Sequence, residues 1–222
     1  MTRNFDIVTF DCYGTLIDWE GGIARAFVET AAQDGVELRP ETVLIAYEQL
    51  EPLVEHEAYL PYREVLSETA LRVGHALGWA LDADRARFLA DSLPSWTPFA
   101  DTNAALERLR TAGYRLGILS NVDYDLLAAT RRHFTVDFDL LITAQQVGSY
   151  KPAPGHFLAA RERIADARWL HAAQSNFHDV VPTNALGIPN AWVNRRNDSA
   201  LTNGTPTFEV ADLTALAELL VG

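Results

Sequence analysis

The chain has 222 residues, with 18 Lys and Arg against 30 Asp and Glu, for a formal net charge of −12. That balance opposes nonspecific binding to nucleic acid or to an anionic membrane surface, and a small anionic substrate would need a local basic residue to hold it. Cys12 is the single cysteine, which excludes an intrachain disulfide; with no apolar leader and no run of about 18 apolar residues, a cytoplasmic protein without a membrane partner is expected.

The first predicted element is a short buried strand, Phe5-Asp6-Ile7-Val8-Thr9-Phe10, which ends on Asp11 and is followed by Gly14 and Thr15. Ligands of open α/β sheets bind beyond the carboxyl ends of the strands, so Asp11 stands where chemistry is usually done; a turn cap is the competing reading. From Asp18 the pattern takes helical period, predicting helices over residues 21–34, 40–53, 62–77 and 82–93. Pro94 and Pro98 close this segment. It reads as a helical insertion, 18–96, within a core formed by 1–17 and 97–222.

Helices and strands then alternate. Asp101-Thr102-Asn103 is placed to cap a helix running to Arg110, and strands are predicted over 114–119, 138–142, 168–172 and 191–193. Helices are predicted over 123–132, 155–164, 182–186 and 212–220. This alternation predicts an α/β fold with a parallel sheet and right-handed crossovers.

Three further strand ends carry polar residues: Ser120-Asn121, the loop reaching Lys151-Pro152, and Ser175-Asn176-Phe177-His178-Asp179. Each has a bland explanation as a cap or a solvated side chain, yet a parallel sheet can gather them into one crevice. A carboxylate nucleophile at Asp11 would split a displacement into two steps. Lys151 would keep it ionised, Thr15, Ser120 and Asn121 would orient it or a bound anion, and Asp179 with Asn176 would place the water that cleaves the ester.

Asp11-Cys12-Tyr13-Gly14-Thr15-Leu16, Leu119-Ser120-Asn121, Tyr150-Lys151-Pro152 and Ser175-Asn176 with Asp179, in that order, resemble the haloacid dehalogenase superfamily. Within it the chain is similar to the type II 2-haloacid dehalogenases over nearly its whole length. The resemblance implies a Rossmann-like parallel-sheet core with an inserted helical cap, and displacement of halide from a small organic acid through a covalent aspartyl ester. It implies no required cofactor or metal.

Superfamily phosphatases carry a second Asp two positions after the nucleophile, because an alkoxide leaving group gains from general-acid protonation. Here that position is Tyr13, and a halide leaves without a proton. Cys12, Tyr13, Trp19 and Ser175 are the candidate substrate contacts. Trp19, Tyr47, Tyr59, Tyr62 and Trp96 read either as pocket lining or as packing of the helical segment. Glu55-His56-Glu57 is read as a solvated stretch, because adjacent residues do not share a helix face.

The chain also departs from the dehalogenase pattern. Residues 43–53 contain no Lys or Arg to hold a halide, leaving Arg39 and Arg63 as the nearest cations, and Gln174 and Phe157 stand where the family often has Ser and Tyr. Two other readings therefore stay open: a Mg²⁺-dependent small-molecule phosphatase and a non-catalytic metabolite-binding relative. A homodimer is left open as well.

Overall fold

The computed structural model describes residues 3–56 and 59–222, so Glu57 of the Glu55-His56-Glu57 stretch lies outside the described residues. Among the described residues six strands form one sheet: β1 (Ile7–Phe10), β2 (Arg115–Ser120), β3 (Leu140–Thr143), β4 (Trp169–Ala173), β5 (Asn190–Val193) and β6 (Phe208–Val210). Their order is β3-β2-β1-β4-β5-β6, and every neighbouring pair is parallel. Strands β1, β4 and β5 are buried at every position, the state that continuous apolar runs dictate in a parallel sheet covered on both faces.

The register sets Phe10 beside Ile118 on one side and Ala172 on the other, so β1, β2 and β4 end near one level. Successive strands run outward from β1 to β3 in one direction and from β4 to β6 in the other. The reversal lies between β1 and β4, the switch point at which such sheets open a crevice.

Helices α1 (Trp19–Gln33), α2 (Pro40–Glu55), α3 (Tyr62–Ala76) and α4 (Phe88–Ser92) follow β1, while α5 (Thr102–Thr111) and α6 (Tyr124–Thr130) flank β2. Next come α7 (Ala144–Val147) and α8 (Gly155–Ile164), then α9 (Val181–Ala185) and α10 (Leu213–Val221). Among the described residues no helix is long and apolar enough to cross a membrane.

Most predicted elements differ from the observed ones only at their ends. Strand β6 was not expected, because three edge residues, two half-buried and one exposed, carry too little period to read. Helix α7 was also unexpected, although Thr143 and Gln146 form a capping box: the Thr143 hydroxyl accepts from Gln146 N at 3.3 Å and Thr143 N donates to Gln146 Oε1 at 3.1 Å. The predicted helix over 82–93 breaks into α4 between two short 3₁₀ turns, Arg85–Arg87 and Leu93–Ser95. Asp101 does not cap α5; its carboxylate instead takes Leu213 N at 2.8 Å and Arg195 Nη2 at 3.0 Å.

The chain divides into two compact units, one containing the sheet and the other consisting of Trp19–Thr97 together with Val122–Thr130. In the second unit the predicted apolar faces are buried: Ile23 and Phe27 on α1, and Val65, Leu66, Ala70 and Val73 on α3. Phe27 meets Phe88 edge-on at 5.0 Å. Gly22 lets Trp96 lie against α1, since a Cβ there would fall 2.4 Å from the indole.

Val122–Thr130 groups with the helices rather than with the sheet. Pro61 precedes α3 and has no side-chain acceptor, so the cap is supplied from elsewhere: the Asp123 carboxylate accepts from Tyr62 N at 3.0 Å and Arg63 N at 2.9 Å. Arg63 Nη2 also pairs with Asp125 at 2.8 Å. Replacing Asp123 with Ala is expected to cost about 1 kcal/mol. Denaturant unfolding would show the loss, with faster amide exchange at Tyr62 and Arg63.

Candidate active site

Asp11 follows β1 directly. The next residues fold back on themselves because Gly14 adopts a φ of 95°, a conformation open to glycine at little strain, and Leu16 N and Ile17 N both bond to Cys12 O. The turn returns Thr15 to the carboxylate, its Oγ1 donating to Asp11 Oδ2 at 2.9 Å. Gln174 N, just beyond β4, donates to Thr15 Oγ1 at 2.9 Å and so sets the direction of that hydroxyl.

Lys151 is the centre of the cluster. Its Nζ lies 2.8 Å from Asp11 Oδ1, 2.7 Å from Asp179 Oδ1 and 3.0 Å from Leu119 O, which employs all three ammonium hydrogens. Asn121 holds the lysine backbone on both sides, accepting from Lys151 N at 2.7 Å and donating to Lys151 O at 3.1 Å. The expected role of Asn121 against Asp11 or an anion is corrected accordingly: its amide holds the lysine main chain. The Lys151 and Asp179 side chains are each 1% exposed and that of Asp11 is 11% exposed, so Asp11 is the carboxylate a solute can reach.

The three charges are unequal. Burial disfavours the Lys151 ammonium, but Asp11 and Asp179 outweigh it and raise its pKa. For Asp179, burial is opposed by Lys151 and by His171, and the carboxyl is held well below the usual range. At Asp11, burial prevails over the attraction of Lys151, the Asp179 charge pushes the same way, and the pKa rises. Lys151 therefore does not keep Asp11 ionised as simply as expected, because its charge is shared with Asp179.

Several residues around the cluster were not singled out in the sequence. His171, within β4 and fully buried, sets Nε2 2.8 Å from Asp179 Oδ1 and Nδ1 2.8 Å from Thr9 Oγ1. A histidine inside an otherwise apolar strand was the available signal. His156 places Nε2 3.0 Å from Ser120 O, and burial together with Lys151 lowers its pKa to about 4, so it is neutral near pH 7. Arg195 Nη2 donates to Thr15 O at 3.0 Å while its guanidinium lies over the Phe99 ring at 4.1 Å, bracing the nucleophile loop.

Other expected site residues have different duties. Asn176 donates to Gly204 O at 2.8 Å and accepts from Leu201 N at 3.2 Å, so its amide ties down the 201–204 loop. Ser175 caps its own turn, its Oγ accepting from His178 N at 3.0 Å. For Ser175 this replaces the expected substrate contact with a local cap, whereas Asn176 fixes local geometry, the part expected of it. Cys12 is fully buried, and burial with the Asp11 charge beside it pushes the thiol far up, so its side chain is neither an open substrate contact nor a nucleophile.

Tyr13 is half-buried beside Asp11. Trp19 belongs to the helical unit, where its ring lies 5.8 Å from that of Tyr47. Arg63 is paired with Asp91 and Asp125, and Arg39 is an exposed residue before α2. Two polar atoms at the strand ends, Ser120 Oγ and Asp179 Oδ2, are buried without a hydrogen-bond partner.

The carboxylates do not fit a divalent cation. The Lys151 ammonium already bonds the Oδ1 of both Asp11 and Asp179, and Thr15 bonds Asp11 Oδ2. Among the described residues no group of three or more His, Cys, Asp or Glu could hold a metal.

Known proteins share the sequence and fold of this chain over nearly its whole length. An (S)-2-haloacid dehalogenase H-109 from Pseudomonas putida is 30% identical over 220 residues, 96% of this chain and 97% of that protein. A second (S)-2-haloacid dehalogenase from Pseudomonas putida is 29% identical over 99% of this chain and 98% of its own length. In fold the chain is similar to the L-2-haloacid dehalogenase of Xanthobacter autotrophicus with chloropropionic acid covalently bound, at a TM-score of 0.85, 23% identity and coverage of 98% and 99%. A family model for haloacid dehalogenase-like hydrolases matches residues 5–170, and the chain belongs to that family.

Proposed function

We propose that this hydrolase converts a small 2-haloacid to the 2-hydroxyacid through an ester on Asp11. The observation that carries the reading is the Lys151 ammonium lodged between Asp11 and Asp179, where it supplies the positive charge without a metal. Tyr13 and the names of the two Pseudomonas putida relatives support a leaving group that needs no proton.

In the first step an Asp11 carboxylate oxygen attacks C2 of the substrate, a C–O bond forms, and halide departs with the electron pair of the C–X bond. Thr15 and Lys151 hold the carboxylate in line. The buried Ser120 hydroxyl has bonding capacity left for the substrate carboxylate. In the second step water attacks Cγ of Asp11 and its proton passes to Asp179 Oδ2, the oxygen without a partner. The ester C–O bond at Cγ then breaks, the product alkoxide takes the proton held by Asp179, and the Asp11 carboxyl gives up its remaining proton to solvent, which restores the carboxylate. Only the first step touches C2, so the configuration there inverts once.

A panel of haloacids and phosphate esters, with and without Mg²⁺, separates this reading from its rivals. Halide release without metal, absent in Asp11→Asn, is expected. Mg²⁺-dependent phosphate release would instead identify a phosphatase. Tight binding of an organic acid with no turnover of any panel member would identify a binding protein.

A further inference from the structure

We propose that His171 is a positioning residue for the second half-reaction, locking the Asp179 carboxylate so that one oxygen holds Lys151 and the other receives the attacking water; this rests on the reading of Asp11 as the ester-forming nucleophile. The hydrogen-bond directions follow from the donors available. Trp169 Nε1 can only donate, and it bonds to Thr9 Oγ1 at 2.7 Å. The Asp179 carboxylate only accepts, so His171 Nε2 donates to Oδ1 at 2.8 Å, and in the neutral imidazole Nδ1 then accepts from Thr9 Oγ1 at 2.8 Å. The chain Trp169, Thr9, His171 thus points every hydrogen toward Asp179. Phe157 meets the imidazole edge-on at 5.3 Å and 84°, restricting its rotation.

The result is an asymmetric carboxylate. Oδ1 takes both Lys151 and His171, whereas Oδ2 is buried with no partner. Rotating the carboxylate would break two short bonds at once, so Oδ2 stays free. Asp11 is held by a different set, Thr15 and Lys151. Loss of His171 should therefore impair ester hydrolysis while sparing ester formation, a separation that a merely structural core histidine would not produce.

The test uses (S)-2-chloropropanoate with the parent, His171→Leu, His171→Gln and Thr9→Val, following early halide release by rapid quench and the intact protein by mass spectrometry. In His171→Leu we expect a halide burst approaching one per active site and accumulation of the ester adduct. Both kcat and KM should fall about 10²-fold with kcat/KM nearly unchanged. Gln carries an amide donor and should restore kcat to within about tenfold of the parent. Thr9→Val should shift the balance the same way with His171 retained, which keeps the test open if His171→Leu does not fold. A drop in kcat/KM with no adduct, or equal damage from Gln and Leu, overturns the inference. If the parent itself forms no Asp11-dependent adduct, the nucleophile reading falls and takes this inference with it.

Discussion

Replacing Asp11 with Asn is expected to lower turnover by about 10⁴-fold or more, the order that follows removal of a covalent nucleophile, without weakening the fold. The sign of the stability effect comes from the raised pKa of Asp11. Between its unfolded and folded values the native chain holds the extra proton, so its contribution to stability falls as pH rises through that window and stays reduced above it. Asn removes that penalty. Asp11→Asn should melt at or above the parent temperature at pH 7, and the gap should close below pH of about 4, where the unfolded carboxyl is protonated as well. The same shift puts the acid limb of the parent's pH–rate profile above the usual carboxylate range, because only the ionised carboxylate attacks.

Lys151→Met is expected to be both inactive and unstable. It leaves the Asp11 and Asp179 carboxylates facing each other in a buried site without their shared cation, a loss of about 3–5 kcal/mol. Acid should restore part of that stability as the carboxyls take up protons, a larger recovery than the parent's, whose carboxylates keep their shared cation. Melting temperatures of the two proteins between neutral and mildly acidic pH test this; a constant difference across that range would count against it. Lys151→Arg should not rescue activity, since a planar guanidinium cannot reproduce one nitrogen bonded to Asp11, Asp179 and Leu119 O.

Which parts were legible in the sequence follows from where each residue finds its partners. Strands β1, β2 and β4 could be read because burial on both faces demands continuous apolar runs, and the strand-end rule then drew Asp11, Lys151 and Asp179 together across about 170 residues. Short polar side chains were harder. Ser175 bonds the backbone three residues on, a local competition that residue type and position do not resolve, while Asn176 and Asn121 bond backbone groups 28 and 30 residues away that only the folded loops bring to them.

Asp101 went wrong in the same way as the two asparagines: its partners, Arg195 and Leu213, are remote in sequence and prevail over the local helix cap. His171 was hidden inside a strand, where an inward histidine reads as core. Only the parallel pairing of β1 with β4 places it opposite Thr9, and the loop beyond β4 returns Asp179 to it. The Tyr13 argument was available from the sequence alone, since it depends on what is missing beside the nucleophile rather than on any contact.

The central claim is that Asp11 becomes covalently bound and is freed by water attacking its own carboxyl carbon. The most direct measurement is turnover of (S)-2-chloropropanoate by excess enzyme in ¹⁸O-water, followed by mass analysis of the Asp11 peptide. The mechanism predicts ¹⁸O in the Asp11 carboxylate and solvent oxygen absent from the hydroxyl of the first-turnover product. Labelled product with an unlabelled Asp11 would mean that water attacks the substrate directly, and would contradict the mechanism.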